Sequence, residues 1–530
     1  MKTLIFRNST IEYLFFKSED IVFSDYDSIS FSENDYEQFF WFYNLPIIED
    51  NNILVNLIND YQVRIKLLSR KISIDKIFII FTLNSVGIVR FEHNNCKLKD
   101  AIYKINQFIY NLEKSNSNIK VIDFGLFLNK FPENLLIDWR YYFLSKSIIN
   151  PSLANEFKNW FIYQWNAINQ IRKKCLVLDL DNTLWGGILG EDGINGIKLN
   201  DNYPGNAFKQ FQKCILELKK IGIILAISSK NNMHDVDELW EKNDQMILKK
   251  NDFVCLKINW VDKVKNIFEI SKELNIGLDS IVFFDDNPTE REFVRSSLPD
   301  VIVPDFPTKP YKLIEFLHEI YLKHFNTYNI TEEDKNKTKQ YIENISRNNY
   351  KNLFNSIDSY IKGLKICISI LQADEIYYTR FAQLSQKTNQ FNLTTKRYTE
   401  LDICRFVKSG HLVIGIKVRD KFGDSGVTGL AIVIFENKEE CFIDTFLLSC
   451  RILGKGIENA FLSNILINLK ERGYNKVYSE FLKSSKNQQV FDFYETQNFK
   501  IISIEKEKKL YQFDLQKNKI NKIEKYIKIN

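Results

Sequence analysis

No two of the eight cysteines stand close together: Cys96, Cys175, Cys214, Cys255, Cys367, Cys404, Cys441 and Cys450 are scattered, and no Cys-x-x-Cys occurs. That spacing excludes a disulfide framework and a structural zinc site. No run of eighteen apolar residues exists, so no membrane span is expected. The opening segment MKTLIFRNSTIEYLFF is broken by Arg7, Asn8 and Glu12, which makes it a poor signal peptide. Charge of one sign is also lacking. Lys and Arg number 72 against 67 Asp and Glu, for a net charge of +5, and nothing here argues for a nucleic-acid partner. The expectation is a reduced, soluble, cytoplasmic protein.

What is present is core-forming material. Apolar residues make up 45% of the chain and aromatics 14%, which excludes wholesale disorder. A length of 530 residues points to three or four domains. The chain is organised around residues 175–190, CLVLDLDNTLWGGILG. Leu176, Val177 and Leu178 read as a buried parallel strand that stops at two carboxylates, Asp179 and Asp181. Ligands of open α/β sheets bind beyond the carboxyl ends of the strands. Alternation points both acids the same way, with Leu180 turned from them. Acids that close repel unless they share a proton or a cation, and magnesium with phosphate oxygens answers that need. An isolated Asp-x-Asp is more often a capped turn. The apolar run before it and the groups after it separate this one from that case.

Between Lys174 and about Phe306 the pattern is strand–helix–strand–helix–strand. Phe208–Lys220 has helical period and is closed by Gly222. Ile223–Ile227 is a strand ending in Ser228, Ser229, Lys230 and Asn231, a hydroxyl, ammonium and amide set that suits phosphate oxygens but also makes a good turn. The helix in WVDKVKNIFEISKEL carries Lys263 in its first turn, against the helix dipole, which fits either a site residue or a solvated lysine. Ile281–Phe284 is a third strand, ending in Asp285 and Asp286 and followed by Asn287, Pro288, Thr289 and Glu290. A second acidic pair at a second strand end allows the carboxylates, hydroxyl and lysine to converge on one magnesium phosphate.

The flanks are α/β as well. Up to about residue 168, strands at Ile77–Phe81 and Ile119–Ile122 bracket a helix at Leu98–Leu112, and Asn155–Ala167 forms a helix leading into the central strand. His93 reads as a surface residue, and Asp138–Trp139–Arg140–Tyr141 with Tyr142 as packing or docking surface. Residues 305–360 form a connector with helical patterns at Leu313–His324 and Lys335–Asn348, and strand pattern returns near Leu364. A helix at Asp374–Gln386 precedes KTNQFNLTTKRYT, and DKFGDSGVTGLAIVIF reads as a hairpin pair with turn freedom at Gly423, Gly426 and Gly429. In FIDTFLLSCRILGKGIENAFL a strand ends at Ser449–Cys450, and Arg451-x-x-Gly454-x-Gly456 leads into a helix whose amides suit a phosphate. Cys450, beside Arg451 and a helix N-terminus, has two reasons for a lowered thiol pKa, although a free cysteine is more commonly a small buried hydrophobe. Cys175, inside the apolar strand, is core. The tail QKNKINKIEKYIKIN reads as a frayed helix.

In their order, DLDNT, ISSKN, WVDK and FFDDNP resemble the four motifs of the haloacid-dehalogenase (HAD) phosphatase superfamily. KCLVLDLDNTLWGGILGEDG and FFDDNPTEREFV are similar to its FkbH-like branch, as are RFAQLSQKTNQFNLT, DKFGDSGVTG and SCRILGKGIENAFL further on. The loop around Arg451 and the segment KNQQVFDFYETQNF resemble the GNAT acyltransferase fold, and the N-terminal region a degenerate SGNH hydrolase. There Asp138-x-x-Tyr141 stands where an active member has Asp-x-x-His, which argues against ester hydrolysis.

The resemblance implies a multidomain α/β protein: an SGNH-like α/β domain over 1–168, a HAD-like Rossmannoid parallel-sheet domain over 169–310, a helical connector over 311–360, a GNAT-like α+β domain over 361–515 and a polar tail over 516–530. It implies Asp179 as nucleophile, Asp181 as general acid and base, and Ser229, Lys230, Asn231 and Lys263 around the phosphate. Magnesium would be carried by Asp179, the Asp181 backbone carbonyl and Asp286, with Asp285 supporting. Cys450 would take an acyl group, while Arg451, Gly454, Gly456 and Asn487 would hold a pantetheine arm. The implied activity is transfer of a glyceryl unit from 1,3-bisphosphoglycerate to an acyl carrier protein, with loss of phosphate, for polyketide or surface-polysaccharide synthesis. The alternative is a magnesium-dependent phosphatase on a small metabolite, with a structural C-terminal domain.

Overall fold

The computed structural model describes residues 2–47, 49–74, 76–85, 96–116, 118–351, 353–354, 356–523 and 526–530. His93 lies outside them. The chain divides into two compact units, Met1–Ile168 and Asn169–Asn530.

The first unit is built on a parallel sheet of β1 (Thr3–Arg7), β2 (Ile21–Phe23), β3 (Gln38–Phe42), β4 (Ile77–Phe81) and β5 (Ile119–Ile122), in the order β2-β1-β3-β4-β5. Every residue of β3, QFFWF, is buried, as expected of a parallel strand covered on both faces. The helices Asn51–Lys71 and Cys96–Ser115 pack with one face of the sheet, and Ala154–Ile168 with the other. Asp138 accepts from Arg140 N as the cap of a short helix and pairs with the Arg140 guanidinium, so its carboxylate serves a helix end.

The second unit begins with a four-stranded parallel sheet: β6 (Cys175–Leu178), β7 (Ile224–Ser229), β8 (Cys255–Ile258) and β9 (Ile281–Phe284), in the order β8-β7-β6-β9. Cys175, Leu176, Val177 and Leu178 are fully buried, so Cys175 is core and burial raises its thiol pKa. Leu178 lies opposite Ile227 of β7 and Phe284 of β9, which aligns the carboxyl ends of three strands. The strand β7 runs through Ser228 and Ser229, two residues further than the apolar run alone suggests, because its partner β8 continues the ladder to Ile258.

The unit continues into a mixed sheet with helices, α+β in character. It comprises β10 (Cys367–Gln372), β11 (Phe391–Asn392), β12 (Leu412–Asp420), β13 (Gly423–Phe435), β14 (Glu440–Leu448), β15 (Lys476–Leu482), β16 (Lys500–Ile504), β17 (Lys508–Asp514) and β18 (Lys528–Ile529). The hairpin β12–β13 is antiparallel, and β14 pairs with β15 in parallel across the helix Ile457–Glu471. Leu364 ends the helix Ile357–Leu364, whose apolar face, with Tyr360 and Ile361, packs into the core, and the strand expected near it opens at Cys367. One expectation is corrected. The tail is not a frayed helix: Ile527 is buried, Ile520 and Ile523 pack on the same core, and Lys528 and Ile529 pair with Cys367 and Ile368. The open edge of β10 gives those backbone groups partners that an isolated polar helix lacks. Among the described residues no helix is long and apolar enough to cross a membrane.

Candidate active site

Parallel pairing delivers the acids. Asp179 N donates to Phe284 O at 2.9 Å, so the residues following β6 and β9 emerge side by side. Asp179, Asp285 and Asp286 each offer a carboxylate oxygen, and these oxygens lie within 4.8 Å of one another. Asp179 and Asp285 are buried. Lys263 Nζ stands between them, 2.9 Å from Asp179 Oδ2 and 2.5 Å from Asp285 Oδ2. Its place is set locally: Asp262 caps the Lys263–Leu274 helix by accepting from Lys265 N, and the next side chain is thereby aimed at the strand ends. The sequence left a solvated lysine open as an equal reading, and the buried ammonium excludes it.

Three carboxylates against one ammonium leave a surplus of negative charge in a buried space. Burial lowers the affinity of Lys263 for its proton, but the Asp179 and Asp285 carboxylates more than offset this and hold the ammonium above its ordinary pKa. Burial, then repulsion from Asp179 and Asp285, pushes Asp286 up to about 6. Burial, then Asp179, raises Asp285 as well. Asp179 Oδ1 is buried with no hydrogen-bond partner among the described residues. An orphaned carboxylate oxygen beside two more acids is an all-oxygen, hard donor set, which fits magnesium. Asp179, Asp285 and Asp286 would hold the ion.

The Asp181 side chain is not part of this cluster. Its Oδ1 accepts from Trp185 Nε1 at 3.0 Å and Leu189 N at 3.0 Å, and its Oδ2 from Asn231 Nδ2 at 2.8 Å. Burial raises its pKa against these donors, and nearby Asp179 adds to the rise, the direction required of a group that gives up a proton near neutrality. The turn after β6 supports this arrangement. Asn182 takes a left-handed backbone at φ 52°, and its Oδ1 accepts from Gly187 N, which folds the buried Leu184 and Trp185 under the acid. Trp185 was not singled out in the sequence. Its signal was there, an indole donor four residues beyond an acid in a turn.

Of the expected phosphate-binding residues, Ser229 is buried at the end of β7 and accepts from Asn231 Nδ2 at 3.3 Å. Ser228 Oγ is buried and unpartnered, so neither serine is excluded as a donor. Lys230 is drawn instead to Glu290 at 2.5 Å. Arg291, absent from the sequence reading, donates to the backbone carbonyls of Asp285 and Asp286 at 2.9 and 2.7 Å and fixes the acidic turn. A cavity of about 360 Å³ reaches Asp286, walled by Gly186, Gly187, Lys198 and Phe306.

The expected pantetheine set is less open. Asn487 is fully buried, donates to Asn392 O and Leu482 O, and accepts from Ser484 N, so it is a loop clamp with no spare donor. Arg451 donates to Gln340 and to Ser449, away from the cysteine. Gly454 and Gly456 hold φ near 70° and 75°. The carboxylate of Glu458 competes for their backbone N–H groups: burial raises its pKa, and the amides of Glu458, Gly456 and Gly454 pull it down. Cys450 is half-buried, and its thiol donates to Asn275 O at 3.2 Å.

No family model matches the chain, and no curated protein matches it. Among solved structures, the chain is similar to the N-terminal part of BF1531 from Bacteroides fragilis, which contains a phosphatase domain and is complexed with Mg. The two are 25% identical over 62% of this chain and 94% of that one, with a TM-score of 0.53. Slighter likenesses, covering 28% of this chain, run to a putative acetyltransferase of Salmonella typhimurium with acetyl-CoA (12% identical, TM-score 0.23) and to a ribosomal-protein N-acetyltransferase of Escherichia coli (13%, 0.24); at those scores they carry no argument. This is a multidomain α/β chain whose parallel-sheet region resembles a magnesium-complexed phosphatase domain.

Proposed function

We propose that the chain is a cytoplasmic, FkbH-like, magnesium-dependent phosphatase and acyltransferase that loads a glyceryl unit onto an acyl carrier protein. The observation carrying this reading is the convergence of Asp179, Asp285, Asp286 and Lys263 beside an Asp181 held separately by its own donors. In the hydrolytic half, an Asp179 oxygen attacks phosphorus and the bond from phosphorus to the glyceryl oxygen breaks. Asp181 gives its proton to that departing oxygen, then takes a proton from the water that attacks the aspartyl phosphate, so phosphate leaves and both acids return to their starting states. Magnesium, when bound, supplies the positive charge that lets an acid approach a phosphate. Lys263 and Ser229 hold the phosphoryl oxygens.

In the transfer half, the Cys450 sulfur attacks the acyl carbon of 1,3-bisphosphoglycerate. The carbon–sulfur bond forms as the carbon–oxygen bond to the acyl phosphate breaks, and the phosphate departs with the electron pair and takes up the proton the thiol gives up. The pantetheine thiol of the carrier then displaces Cys450. The test is to incubate the protein with magnesium, the acyl phosphate and holo-carrier, and to weigh the carrier by mass spectrometry. A glyceryl mass on the carrier is expected, and its absence alongside phosphate release favours the plain phosphatase. The satisfied Asn487 and the Glu458 carboxylate at the glycine loop favour that second reading, in which the C-terminal region is structural.

A further inference from the structure

A second charged cavity lies away from the acidic centre. It has a volume of about 290 Å³, and its wall carries six basic side chains: Lys174, Lys337, Arg380, Lys387, Arg451 and Lys486. Cys450 lines the same cavity. Lys337 reaches Asp334 at 3.1 Å, a carboxylate it shares with Arg172 at 2.7 Å, and Lys486 reaches Asp279 at 2.6 Å. Lys174 donates to Lys387 O at 3.0 Å, Arg451 to Gln340 and Ser449, and Arg380 to Val427 O and Gln383 among its contacts. Lys387 Nζ is buried with no hydrogen-bond partner among the described residues. Lys337, Arg172 and Arg380 act on it with the same sign, and the Asp334 carboxylate opposes them.

Burying an unpaired ammonium among other cations is costly, and a protein keeps such an arrangement where a ligand supplies the missing charge. We infer that this cavity is a binding site for a small phosphate monoester, held by Lys387, Lys337, Lys174 and Arg380 with its organic part toward Cys450. The volume, near the lower end of small-molecule sites at about 300 Å³, suits a compact metabolite. A dianionic phosphate accepts from several ammonium and guanidinium donors at once, which matches the geometry of a cationic wall. Burial pushes Lys337 down to about 7 and Lys387 well below its ordinary value, and an anion among them would hold both protonated. The inference rests on the proposed function only for the chemistry of Cys450; the anion site stands on the cavity itself.

The experiment measures binding of 3-phosphoglycerate and, separately, pantetheine 4′-phosphate to the full chain by calorimetry without magnesium, for the wild type, Lys387→Met and Asp179→Asn. Lys387→Met is expected to weaken binding at least about tenfold, as loss of a charge-assisted donor does, with Asp179→Asn little changed. Dependence on Lys387 for either probe supports the site, and the tighter probe identifies whether donor or carrier arm supplies the phosphate. Binding lost in Asp179→Asn and kept in Lys387→Met places the anion at the acidic centre and overturns the inference while leaving the proposed function standing. No binding of either probe to the wild type also overturns it. Should Lys387→Met not fold, Lys337→Met takes its place. Protection of the wild-type Cys450 from iodoacetamide by the tighter-binding of the two probes then gives a variant-free readout: slower alkylation is expected, and an unchanged rate overturns the site.

Discussion

The acidic centre at the ends of β6 and β9 and the basic cavity around Lys387 are opposite solutions to one electrostatic problem. Each buries charge of one sign with too few counter-charges: Asp179, Asp285 and Asp286 share Lys263, while Lys337, Lys387 and Arg172 share Asp334. In the first the surplus is negative and compact, and a small divalent cation answers it. In the second it is positive and spread around a cavity, and a multi-oxygen anion answers it. Neither arrangement serves stability, because paired or apolar groups of similar volume would fold at least as well. Both are read most directly as binding sites.

The comparison can be broken most severely at the acidic centre. Asp179→Asn is expected to lower hydrolysis of a phosphomonoester such as p-nitrophenyl phosphate by at least about 10⁴-fold in kcat, the scale for removing a nucleophile; near-wild-type turnover would remove Asp179 from that role. Removing the metal with EDTA should abolish the same activity and magnesium should restore it, whereas phosphate binding at the basic cavity should persist in EDTA. Packing beneath the acids is tested by Leu178→Ala. This fully buried strand residue is expected to cost about 2–5 kcal/mol, measured by urea unfolding, and to disturb the acidic centre before the basic one.

The pH dependence sharpens the comparison. Without metal, Asp286 binds its proton more tightly in the folded chain, at about 6 against an ordinary 3.8, because of burial and its acidic neighbours. The native state therefore holds more protons than the unfolded state through that window. Stability is favoured below it and is lost as pH rises through about 6. Thermal unfolding in EDTA should show this fall, and saturating magnesium should suppress it, since bound cation takes over from the proton. The smallest effect is expected from Trp185→Phe, which removes one of three donors that hold Asp181 down against burial. Asp181 should rise further, moving the alkaline limb of kcat upward. An unmoved limb would show that Asp181 is not the titrating acid.

The two sites also differ in how far the sequence discloses them. The acidic centre is local in design: each acid ends an apolar strand, Lys263 follows its own helix cap, and parallel pairing brings equivalent ends together. Leu176–Leu178 and Ile281–Phe284 therefore marked the positions of Asp179, Asp285 and Asp286, and the structure brings their carboxylates together. Trp185, Asn231 and Arg291 as orienting groups were not legible, because a hydrogen bond across a turn leaves no periodic trace. Lys230 looked like a phosphate ligand, and its pairing with Glu290 depends on the geometry of two loops.

The amino-acid sequence alone determined the alternation of strands and helices and the strand-end acids, because those follow from period, spacing and residue chemistry over short windows. The tail and the basic cavity were decided only by tertiary structure. Ile527–Ile529 find a partner in the edge of β10, and Lys174, Lys337, Lys387 and Cys450, far apart along the chain, meet only when the sheets and helices of the second unit pack. Charge surplus is a property of a volume, and a linear sequence of nearly balanced charge does not reveal where in space that balance fails.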